Sequence, residues 1–129
     1  MDQEEEYGLQ VIIASGLEAP HRAIAGFALA LAAAASGTKV VVWLTMHGAT
    51  WAVRNQGNQE DVPGFSSVAG YIRLLKEEGA SIEFCTTCSG NGCLLQGGED
   101  EGCNLREGIK IAGLAPVASR LTTVPTVTF

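Results

Sequence analysis

The chain has 129 residues, 47% of them hydrophobic and 17% charged, with a formal net charge of −6. That length suits one domain, which buries roughly two-thirds of the surface its unfolded chain exposes and needs no disulfide or metal to complete its core. The composition excludes a disordered chain, and eight Lys plus Arg without a basic cluster exclude an electrostatic nucleic-acid binder.

The opening MDQEEEYG is acidic and has no apolar run behind it, unlike a secretory signal. It reads as a flexible tail over residues 1–8, ahead of a single domain over 9–129. The most apolar segment, Ala23 to Ala35, has 13 residues, against the ~20 that span a bilayer, so no membrane association is expected. The expected location is cytoplasmic. In a reducing compartment the four cysteines are thiols, metal ligands or redox groups rather than structural disulfides.

In chain order, "LQVIIA" (9–14) is a buried strand, closed by the turn residues Ser15 and Gly16. Pro20 suits a first helical turn, and the alanine-rich helix behind it stops near Ser36-Gly37. "KVVVWLT" (39–45) is a second strand, apolar on both faces as in a parallel sheet. Residues 46–63 read as an irregular polar connection. A helix is expected from about Phe65 to Glu78, with Phe65, Val68, Ala69, Ile72 and Leu75 as its apolar stripe. "ASIEFC" (80–85) is a third strand. After a glycine-rich loop, Asn104 and Glu107 make a capping box for a short helix, and another helix starts at Pro116. "TVPTVTF" closes the chain as a strand, placed at a sheet edge because Pro125 has no N–H to donate. The order predicts an α/β sandwich with a mainly parallel sheet.

Ligands of such sheets meet the loops at the carboxyl ends of the strands. That rim collects Ser15, Gly16 and His21, then Thr45, Met46 and His47, then Cys85. Cys85 ends a strand and suits a nucleophile that holds sulfur as a persulfide, given a nearby positive charge, helix N-terminus or metal. His47 is a candidate helper, as base or imidazolium. Cys88 completes C-x-x-C and can resolve an adduct on its neighbour. The plainer alternatives are a buried cysteine acting as a small hydrophobe, and an ordinary hydrogen-bonded histidine. With Cys93 and Cys103 the spacing becomes C-x2-C-x4-C-x9-C, which admits Zn²⁺ or an iron–sulfur centre without matching their usual patterns. The carboxylates Glu99, Asp100 and Glu101 would either oppose thiolates nearby or solvate the loop. Trp43 reads as core, and Trp51 as a cover over the site or a subunit contact. "SGLEAPH" is no phosphate-binding loop.

Taken together, "VIIASG", "RAIAGFALALAAAASG", "KVVVWLTMHGA", "LLKEEGASIEFCTTC" and "GIKIAGLAPVASRLTTVPTVTF" resemble, in order and spacing, the DsrE/DsrF-like family of TusD- and YchN-type sulfur-relay proteins. The resemblance implies a three-layer α/β sandwich with a mainly parallel five-stranded sheet. It also implies assembly into homo- or hetero-oligomers such as dimers, trimers or hexamers, and sulfur passed between donor and acceptor proteins. Cys85 matches the family's persulfide cysteine, and Cys88 the second cysteine of its C-x-x-C subgroup. The chain departs from the family after Cys85, where a helix is usual. Here "SGNGCLLQGGEDEG" is glycine-rich, and each interior glycine costs a helix ~1 kcal/mol relative to alanine. The expected function is a cytoplasmic persulfide carrier using Cys85, Cys88 and His47, without cofactor or bound metal. The alternatives are a binding module whose cysteines hold zinc or an iron–sulfur centre, and an oligomeric family member without transfer activity.

Overall fold

In the computed structural model, which describes residues 6–85 and 105–129, the apolar runs form the strands of a single sheet. The elements are β1 (Leu9–Ile13), α1 (Pro20–Ala35), β2 (Val40–Leu44), a 3₁₀ helix (Met46–Ala52), α2 (Val68–Glu77), β3 (Ser81–Cys85), β4 (Lys110–Ala112), α3 (Leu114–Leu121) and β5 (Thr126–Thr128). The strand order is β4-β3-β2-β1-β5, and every pairing is parallel. All the carboxyl ends therefore point to one rim.

Alternation along the strands sorts their side chains onto two faces. Val11, Ile13, Val42, Leu44, Ile82 and Phe84 share one core with Ile24 and Phe27 of α1 and with Val68, Ile72 and Leu75 of α2. Gln10, Ile12, Trp43, Glu83 and Cys85 take the other face. There α3 contributes Val117, which is buried with Trp43 and Cys85. Helices thus lie on both sides of the sheet, as the sandwich expectation requires.

Pro20 occupies the first turn of α1, and Ser36 closes it by donating its N–H to carbonyls of the last turn. α2 begins at Val68, three residues later than its apolar stripe suggests. The Ser67 hydroxyl caps it by accepting from the Gly70 N–H at 3.0 Å, which leaves Phe65 outside and exposed. β5 is an edge strand, in keeping with Pro125 just before it.

Three local expectations need correction. The connection after β2 is not irregular at its start: Met46–Ala52 is a 3₁₀ helix whose Gly48, Ala49, Trp51 and Ala52 are buried. Trp51 is no cover; it is fully buried, and its indole N–H donates to the Ser15 carbonyl at 2.8 Å. The short helix expected around Glu107 does not form among the described residues. Leu105 instead bridges Val53, and the chain turns at 107–108 into β4. β4 has three residues, too few for a period to show, so only the family resemblance had implied a fifth strand.

Tyr7 and Gly8 are held against the sheet. The Tyr7 hydroxyl donates to Ser81 Oγ at 2.8 Å and the Gly8 N–H to the Lys39 carbonyl at 2.7 Å.

Candidate functional site

β3 ends on Cys85, so the thiol lies where the chain leaves the sheet, at the rim formed by the carboxyl ends. The residue is 6% exposed and packs with Trp43 and Val117, on the α3 side. Cys88, Cys93, Cys103, Asn104 and the triplet Glu99 to Glu101 lie outside the described residues. Among the described residues no group of three or more His, Cys, Asp or Glu side chains is placed to hold a metal ion.

His47 follows β2, the neighbour of β3, so it shares the rim with Cys85. The two do not share an environment. The His47 side chain is 71% exposed, and its Nδ1 lies 3.4 Å from Glu18 Oε1. Its position is set by a close crossing of two backbones. A Cβ at Gly16 would overlap the His47 carbonyl, and one at Gly48 would overlap the Ile13 carbonyl. Only hydrogen at both places lets the loop after β1 lie against the 3₁₀ helix. Met46 turns the chain into that helix with a left-handed backbone (φ 54°), and its side chain is exposed. Glu18 also accepts the Gly16 N–H at 2.9 Å. Partial desolvation pushes its carboxyl upward. The N–H groups of Glu18 and Gly16 and the charges of His47 and Arg22 outweigh this and hold it below the usual value. His21 stands exposed in the first turn of α1.

A second polar group lies on the thiol's own face of the sheet. Glu83, two residues before Cys85, is buried, and its Oε1 accepts from Arg120 Nη2 at 2.7 Å. Arg120 Nε donates to Gln10 Oε1 at 2.7 Å, and Gln10 Nε2 to Thr126 Oγ1 at 3.1 Å. The guanidinium also sits 5.5 Å from the centre of the Tyr7 ring. α3 thus places Val117 over the thiol and Arg120, one turn on, over the carboxylate. A cleft of about 700 Å³ opens beside this group, lined by Tyr7, Pro116, Ser119 and Arg120 among others, and Cys85 is not part of its wall. The sequence did carry a signal for this network: a glutamate inside the apolar run "SIEFC" and a glutamine inside "LQVII" both break the buried pattern.

Among the described residues two buried side-chain polar atoms have no hydrogen-bond partner, Ser15 Oγ and Trp43 Nε1. Each such group costs about 1–3 kcal/mol. Trp43 lies in the same small cluster as Cys85.

The DsrE/DsrF-like family model matches residues 9–121. The chain belongs to that family. Its fold is similar to the crystal structure of the ychN protein from E. coli, with a TM-score of 0.74, 17% identity, and 96% of this chain and 100% of that one covered. It is also similar to BT1422 from Bacteroides thetaiotaomicron, a conserved protein of unknown function, with a TM-score of 0.61, 13% identity, and 95% of each chain covered. No curated protein matches by sequence. The DsrE/DsrF-like family is related to sulfur relay, so membership supports a general role in sulfur transfer. Among the described residues no helix is long and apolar enough to cross a membrane.

Proposed function

We propose that this DsrE/DsrF-like protein is a persulfide carrier with Cys85 as its sulfur-bearing residue. The observation that supports this is the placement of Cys85 as the last residue of β3, at the rim where the loops of a parallel sheet gather. In the loading step the Cys85 thiolate attacks the outer sulfur of a donor persulfide, R–S–SH. The donor's S–S bond breaks, a new S–S bond forms on Cys85, and R–S⁻ leaves; the proton stays on the transferred sulfur. Delivery repeats the exchange with an acceptor thiolate attacking the outer sulfur, and Cys85 leaves as thiolate. Both steps are redox-neutral, so they need no organic cofactor.

Cys88 assists or resolves by attacking the same adduct. His47 tunes the rim electrostatically, with Glu18 holding its imidazole. The proposed setting is cytoplasmic, with a thiol-bearing donor and acceptor and a second copy of this chain as partners. Because Cys85 is 6% exposed, a donor reaches the sulfur only when its covering groups part.

That burial favours a second reading, an oligomeric family member whose cysteine only packs. Intact-mass and peptide-level mass spectrometry after treatment with inorganic polysulfide separates the two. The carrier gains the mass of one sulfur atom at Cys85, and Cys85→Ser abolishes the gain. A folded wild-type protein that never gains sulfur at Cys85 overturns the carrier reading. Cys88→Ser is expected to load sulfur and to lengthen the life of the adduct.

A further inference from the structure

The thiol's buried side holds a hydrogen-bond donor that the described residues leave unused. Trp43 is 5% exposed, and its indole N–H has no partner among the described residues. Trp43 pairs in register with Glu83 on the adjacent strand, but the Glu83 carboxylate is held by Arg120 and does not accept from the indole. Among the described residues the rest of its cluster is Val117 and Cys85, with Ile12 packed against them. Of these side chains only Cys85 carries an acceptor. A neutral thiol accepts weakly, whereas an anionic sulfur is a strong acceptor of a charge-assisted hydrogen bond.

We propose that the Trp43 indole N–H is the donor that binds anionic sulfur at position 85, first the thiolate and then the outer sulfur of the persulfide. The thiolate half stands on the packing alone; the persulfide half rests on the carrier reading above. The donor suits this face because it adds no charge. Glu83, two residues from Cys85 on β3, opposes a second anion, and Arg120 of α3 offsets it. Lys110 of β4, in register with Glu83, is exposed at the sheet edge. A neutral donor inside the cluster selects for the ionised sulfur without disturbing that pair.

The test uses the full chain with ¹⁵N-labelled indoles. The two tryptophans give two indole resonances, and Trp51 is the internal control because its N–H already donates to Ser15. The Trp43 resonance is expected to move downfield in step with Cys85 ionisation as pH rises, and again on polysulfide loading. The Trp51 resonance stays in place, and Cys85→Ser removes both responses. In Trp43→Phe, which keeps an aromatic ring in the cluster, alkylation by iodoacetamide at Cys85 shifts to higher pH. Its sulfur adduct is lost on the order of tenfold faster, the size expected of one hydrogen bond to a charged group. Sulfur loading at Cys85 with a silent Trp43 resonance overturns this assignment and leaves the carrier reading intact. A Trp43 resonance that follows Cys85 ionisation in a protein that never loads sulfur overturns the carrier reading and leaves the thiolate donor standing.

Discussion

Glu83 and Arg120 show how a single pair of side chains decides what the thiol's face can hold. Both are largely buried, and the carboxylate and guanidinium meet at 2.7 Å. Removing one partner of such a pair leaves the other as an uncompensated buried charge, at about 3–5 kcal/mol. Arg120→Met is therefore expected to lower stability by that order in urea unfolding. Arg120→Met with Glu83→Gln together should recover much of the loss, and a double-mutant cycle checks it. Glu18 gives the second expectation at this scale. Its carboxyl is held below the ordinary value of 4.5, so on acidification the unfolded chain takes up this proton first. The sign follows: the stabilising contribution is complete above 4.5 and is lost as pH falls through the lower, folded value. Unfolding free energies of wild type and Glu18→Gln should converge in acid and separate at neutral pH. Convergence at neutral pH would remove Glu18 as the group that orients His47.

Among the elements, the 3₁₀ helix after β2 has the tightest requirement. It exists because Gly16 and Gly48 allow two backbones to touch, and because Trp51 reaches back to the Ser15 carbonyl. Gly48→Ala forces a methyl group onto the Ile13 carbonyl. The expected cost is that of overpacking, about 1–3 kcal/mol, read as a lower melting temperature. The same variant should disturb the His47–Glu18 contact, since His47 precedes position 48 on the same turn. A Gly48→Ala protein as stable as wild type would show that the crossing has slack. This element was poorly legible beforehand. Residues 46–52 include Met, His, Thr and three small residues, a composition that reads as loop because its buried residues join the common core without a period of their own.

At the level of the whole molecule, self-association is a proposal, carried by the apolar surface that α3 and β4 leave exposed. Ile111, Leu114 and Leu121 are all more than half exposed, and the two leucines lie two turns apart on one helix. We expect a homo-oligomer by sedimentation velocity, and a lower mass for Leu114→Glu with Leu121→Glu. A wild-type chain that sediments as a monomer at all concentrations would remove self-association from the account.

Four of the strands, the long helix and their order were readable from local patterns, and so was the family; the three-residue β4 was implied by the family resemblance alone. Apolar runs of five residues, Pro20 at a helix start and Ser36-Gly37 at its end act within a turn or two of chain. The position of Cys85 at a strand's end was legible for the same reason. What the sequence could not contain was the company each residue keeps. Arg120 reaches Glu83 across 37 positions and Gln10 across 110, and His47 meets Glu18 because two glycines let separate loops touch. Whether a strand-end thiol faces solvent or lies beneath α3 depends on which face of the sheet that helix covers. That choice is made by tertiary packing, since the alternation along β3 fixes only which neighbours share a face and not what is laid over them.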